Sequence, residues 1–241
     1  MRLALLLAWI AIPVAFGFYH YGPGQDAAEN AQAGADLRLA SYQSSQEDWA
    51  GVEASCSAAL ASLKSDDPEV AQRIRLERAK ARLMAEQLPA AYDDLTSLLN
   101  ELEASEEPNA ELLEQTRAAM ASAEYYVTWL MRLEGEPREK WELEIEAARQ
   151  KYRLLAEQAV DAGDQQAAEQ YTEDLEATIR LARMDLSDLE ALDLPCQCKG
   201  CCSGECNCKC KKPGKKPTQG KKKAKDARGA SSGPPADGIG S

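Results

Sequence analysis

A chain of 241 residues with 44% apolar and 6% aromatic side chains has room for one medium domain plus appendages, and is neither a wholly disordered chain nor a protein of many membrane spans. Its net charge of −12 is unevenly placed: residues 1–194 carry 37 acidic against 17 basic side chains, and residues 195–241 carry 11 basic against Glu205, Asp226 and Asp237. An acidic body with a basic tail puts a boundary near Pro195. The single histidine, His20, removes Ser-His, Cys-His and histidine-ligated metal designs together.

Residues 1–22 read as a membrane address. Residues 3–19 hold no charge, Arg2 and the free amine precede them, and Phe18, Tyr19, His20 and Tyr21 stand at the interface position. Seventeen uncharged residues barely suffice to span, so the expectation is an uncleaved N-terminal membrane helix. A cleaved secretory signal competes, because Ala31-Gln-Ala33 and Ala33-Gly-Ala35 fit the small-residue cleavage rule, although both lie well beyond the apolar run. A buried helix is the remaining reading. Positive charge before the segment and Asp26, Glu29 and Asp36 after it place the body outside the cytoplasm, membrane-anchored or secreted after cleavage.

From about Gln25 to Leu194 the pattern is helical throughout, with no run of period two. Residues 23–46 read as a linker with a helix near 26–42, and residues 47–194 as a domain of helical hairpins. Trp49, Val52, Cys56, Ala59, Leu60 and Leu63 share one helical face, while Val70, Ile74, Leu83 and Met84 share another, and each stripe needs a covering neighbour. Asp67 before Pro68, then Pro89, Pro108, Pro137 after Gly135, and Asp164 after Gly163 mark starts. These predict helices near 47–64, 68–87, 89–104, 108–134, 137–162 and 164–185. Short connections make neighbours antiparallel.

The stretch Leu155-Ala156 to Ala159, then Gly163, Ala168 and Leu175, and a second from Ala79 to Leu83 through Glu86, Ala91, Leu95 and Leu98, resemble tetratricopeptide repeats, as does the opening Trp49-Ala-Gly-Val52. The resemblance covers roughly residues 45–185 and never meets the full pattern. It implies a solenoid whose concave face binds peptides or proteins. An irregular all-α bundle without such a groove is the other expectation.

Nothing in this body reads as catalytic, and the chain is expected not to be an enzyme. There is no glycine-rich phosphate loop. Glu101, Glu103, Glu106 and Glu107, or Glu142, Glu144 and Glu146, supply carboxylates, but acidic residues on outer helical faces are ordinarily solvated surface. Glu69 with Arg73 and Glu136 with Lys140 have the i, i+4 spacing of helix-supporting pairs. Trp129, Trp141, Tyr125, Tyr126 and Tyr152 read as hairpin core rather than a ligand cage, and Cys56 as a buried structural thiol.

Residues 195–210 are the most specific part of the chain. Cys196, Cys198, Cys201, Cys202, Cys206, Cys208 and Cys210 place seven thiols in fifteen residues. A Cys-x-Cys unit in extended chain can aim both sulfurs at one metal or at two neighbouring metals. Gly200 and Gly204 let the backbone fold around a cluster, and Lys199, Lys209, Lys211 and Lys212 favour thiolate over thiol. The three Cys-x-Cys units, the Cys201-Cys202 pair, the flanking lysines and the lack of aromatics resemble a metallothionein, with a cysteine number similar to the short fungal copper type. The resemblance implies Cu(I), Zn(II) or Cd(II) held by bridging thiolates, with those seven cysteines as ligands. The departure from the family is that its members are usually free-standing and intracellular, whereas this cluster ends a helical protein expected to be exported. Outside the cytoplasm, disulfides are the competing fate. An odd number leaves one thiol unpaired unless Cys56 joins, and bridges within Cys-x-Cys are strained.

Residues 211–241 read as a disordered basic tail, whose Lys211, Lys212, Lys215, Lys216, Lys221, Lys222, Lys223 and Lys225 suit anionic polymers or the chain's own acidic helices. Nucleic acid is the least attractive partner under the export reading. Two functions follow: a membrane-tethered scaffold whose tail binds or sequesters soft metal ions, or an envelope protein-interaction scaffold with a disulfide-bonded or incidental cysteine tail.

Overall fold

The computed structural model describes Trp9, residues 23–64 and residues 68–192. Among these residues the chain is all-helical, with no strand, and its eight helices pack antiparallel: α1 Pro23–Ser45, α2 Trp49–Ser62, α3 Pro68–Met84, α4 Leu88–Ala104, α5 Ala110–Leu133, α6 Arg138–Ala162, α7 Gln165–Arg183 and α8 Leu186–Glu190. None of them is long and apolar enough to cross a membrane. Apart from Trp9, the segment 3–19 lies outside the described residues. So do His20, Asp67, the cysteine run and the basic tail.

The turns explain why the helices stop where they do. Four connections share one geometry, in which a residue with left-handed backbone follows the helix: Glu47 at φ 58°, Glu86 at 62°, Gly135 at 75° and Gly163 at 76°. The next N–H in each bonds back five residues, Asp48 to the Gln43 carbonyl at 3.0 Å, Gln87 to Arg82 at 2.9 Å, Glu136 to Met131 at 2.9 Å and Asp164 to Ala159 at 3.0 Å. Orphan carbonyls at the helix end are thereby satisfied. In two turns the same residue also starts the next helix. The Asp48 carboxylate accepts from the Gly51 N–H and that of Asp164 from the Ala167 N–H, each at 3.0 Å. Asn109 caps α5 in the same way, so this helix opens at Ala110, beyond the expected Pro108.

The described chain divides into two compact units, one up to Ala81 and one from Arg82. In the first, α1 lies against α2 and buries Ala33 and Ala40, two turns apart, with Val52, Cys56, Ala59, Ile74 and Ala81. Trp49, Leu60, Leu63 and Val70 pack around them, so the apolar face read for α2 is the face buried, while of the set read for α3 Val70 and Ile74 join this core. The small α1 residues let its backbone come close. α1 runs three residues further at each end than the 26–42 expected. Its Asn30 side chain donates to the Lys64 carbonyl at 3.2 Å and accepts from the Lys64 N–H at 2.8 Å, holding the far end of α2.

The second unit is built on α5, which lies against α4 on one side and α6 on another, with α7 packed on α6 and α8 on α5. Its core joins Tyr125, Trp129, Ile145, Tyr152, Leu155, Ala177, Leu181 and Leu189. Leu95, Leu98 and Leu102 of α4 are also fully buried. Side chains of this size contribute about 1.5–3 kcal/mol each when taken from water, which is what holds otherwise polar helices together. Arg82 pairs with Asp94 at 2.7 Å and Arg117 with Glu103 at 3.0 Å. The expected pairs Glu69–Arg73 and Glu136–Lys140 form at 2.9 and 2.7 Å.

Candidate functional site

All seven candidate ligands, Cys196 to Cys210, lie outside the described residues. What is described is the point from which they depart. The last described residue, Leu192, precedes Cys196 by four positions and packs partly buried against the core. Just before it, Leu189 of α8 is fully buried against α5. Arg132, in the last turn of α5, donates from Nη1 to the Leu181 carbonyl and from Nη2 to the Met184 carbonyl. These carbonyls belong to the C-terminal end of α7, where the helix leaves acceptors unfilled and cations are favoured. The Arg132 guanidinium also lies 4.8 Å from the Trp141 ring centroid, a cation–π contact. Burial lowers its pKa, while Asp185 acts the other way.

Cys56 belongs to different chemistry. It is 1% exposed, and burial first, then Glu77 and Glu53, push its thiol up to about 11 against the opposing Arg78. A thiol so buried and so weakly acidic neither exchanges with disulfides nor ligates readily, as expected of a structural cysteine. Among the described residues no group of three or more His, Cys, Asp or Glu side chains is placed to hold a metal ion. Trp129, Tyr125 and Tyr152 are core, with Trp141 packed against them and Tyr126 half-buried.

One polar constellation in the second unit is absent from the sequence reading. Glu124 of α5 is 3% exposed, and its Oε1 accepts from Lys151 Nζ of α6 at 2.6 Å. Its Oε2 is buried and meets no donor among the described residues. Two turns before Lys151, on the same face of α6, Glu144 accepts from the Tyr92 hydroxyl of α4 at 2.8 Å. Burial dominates and pushes the Glu124 carboxyl up to about 7; Lys151 opposes this and Glu144 adds to it. Tyr92 is driven well above its ordinary range by burial and by its bond to Glu144. The available signal was position: from Ala118 to Val127 Glu124 is the sole charge, in a run of small, apolar and aromatic residues.

A second hydroxyl–carboxylate pair, Tyr171 with Glu114 at 2.8 Å, joins α7 to α5. Neither pair is accompanied by a nucleophile–base arrangement among the hydrogen bonds described for it. Comparison with known proteins finds no match for this chain: no family model, no curated protein and no solved structure.

Proposed function

We propose that this protein is a non-enzymatic, membrane-tethered helical scaffold, with its body outside the cytoplasm, whose C-terminal thiolate segment binds or sequesters Cu(I), Zn(II) or Cd(II). The observation that carries the reading is the run of seven cysteines, Cys196, Cys198, Cys201, Cys202, Cys206, Cys208 and Cys210, in fifteen residues. Soft thiolates suit those ions, and seven sulfurs close two tetrahedral sites if one bridges. The attachment of α7 and α8 by Arg132 and Leu189 supports it physically: a segment starting four residues past Leu192 has its root held on a packed core. The uncharged run 3–19 supports tethering, and the hairpins, four of whose connections share one turn type, support a tetratricopeptide-like stack.

The test is metal analysis with thiol titration on the full chain, produced reduced and again by export, beside a version with the seven cysteines changed to serine. Stoichiometric copper, zinc or cadmium that vanishes in the serine version supports the proposal. Metal-free protein from both preparations, with the exported one fully oxidised, overturns it. The second reading, an envelope protein-interaction scaffold, draws on exposed Leu143 and Val160 of α6, which are 73% and 66% accessible.

A further inference from the structure

We infer that Glu124 is a proton-operated latch across α4, α5 and α6, closed when its carboxyl carries a proton and strained open when it does not. This stands apart from the metal reading and rests on the second unit alone. Facing Glu124 are Lys151 and Glu144 from α6 and Tyr92 from α4. Charged contacts of α7 and α8 meet α5 elsewhere: Tyr171 at Glu114, and the Leu181 and Met184 carbonyls and Asp185 at Arg132. These lie about 15 and 12 Å along the helix from Glu124.

The geometry sets the direction of the response. One ammonium, itself 21% exposed, compensates one oxygen of a carboxylate that is almost wholly buried. The other oxygen has no donor, and the Glu144 carboxylate faces the same charge. Ionising Glu124 therefore leaves half a buried charge unsolvated, which the three helices relieve by parting to admit water. A carboxyl whose folded pKa lies above its unfolded value stabilises the fold fully below the unfolded value. That stability is lost as pH rises through the folded one, here from 4.5 to about 7. None of the described members of this cluster, Tyr92, Glu124, Glu144 and Lys151, is an imidazole that would titrate over the same range.

The experiment is hydrogen exchange on the full chain in detergent at pH 6, 7 and 8, corrected for the intrinsic rate. Protection in α4 and the first half of α6 falls about tenfold from pH 6 to 8 in the wild type and stays level in Glu124→Gln. Lys151→Met moves the midpoint upward, and Glu144→Gln moves it downward, since the first partner favours the charged form and the second disfavours it. Equal loss of protection in wild type and Glu124→Gln overturns the latch. Should Glu124→Gln fail to fold, carbon NMR of glutamate-labelled wild type decides: one carboxyl titrating near pH 7 supports it, and none above about pH 5.5 overturns it.

Discussion

Glu47 and Glu86 hold backbone that favours glycine, at φ 58° and 62°, in turns where Gly135 and Gly163 do the same work without a side chain. Both glutamates are exposed, so their side chains have little packing to set against the conformational cost. Left-handed backbone costs an ordinary residue about 1–2 kcal/mol, and glycine's larger unfolded-state entropy returns part of that. Glu47→Gly and Glu86→Gly are each expected to stabilise their unit by about 0.5–1 kcal/mol, read as a shift in denaturant midpoint at constant slope. Gly163→Ala should cost about 1 kcal/mol, because its Cβ meets open space and only the backbone penalty remains. The contrast also marks what was legible. Gly163-Asp164 announces a stop and a start, whereas Gln46-Glu47-Asp48 carries the same cap aspartate for the start but no glycine to announce the stop.

At the scale of elements, apolar periodicity found the helices because burial against a neighbour made them, and the buried face of α2 follows its stripe. α8 was missed because five residues cannot show a period; one buried side chain, Leu189, seats it on α5, just after the α7 carbonyls of Leu181 and Met184. Those carbonyls are gripped by Arg132, which reads in sequence as one more basic residue in a last helical turn. Arg132→Met keeps most of the apolar stem but removes two charge-assisted bonds and the contact with Trp141. The expected loss is about 2 kcal/mol, with faster amide exchange in residues 182–192 ahead of the rest. Equal exchange in that segment before and after substitution would mean that Leu189 alone fixes it.

For the whole molecule, sequence and structure divide the evidence unevenly. The cysteine run is legible from residue type and spacing because thiolate chemistry depends on little else, yet its geometry lies outside the described residues. The Glu124 cluster is the reverse: Tyr92, Glu124, Glu144 and Lys151 mean little until three helices bring them together. The two parts should respond to acid with opposite sign. Thiolate ligands must lose protons to bind, so under the proposed metal reading falling pH should release metal from the tail. Under the proposed latch Glu124 gains its proton as pH falls through about 7, so the body should tighten. A zinc-loaded, reduced full chain taken from pH 8 to pH 5.5 should lose zinc to a chromophoric chelator while keeping its helical circular dichroism. Its melting temperature should meanwhile rise by a few degrees, the shift expected of about 1–2 kcal/mol. Helix lost in step with zinc would make metal part of the body's fold, and a melting temperature that drops alone would count against the latch and leave the tail chemistry standing.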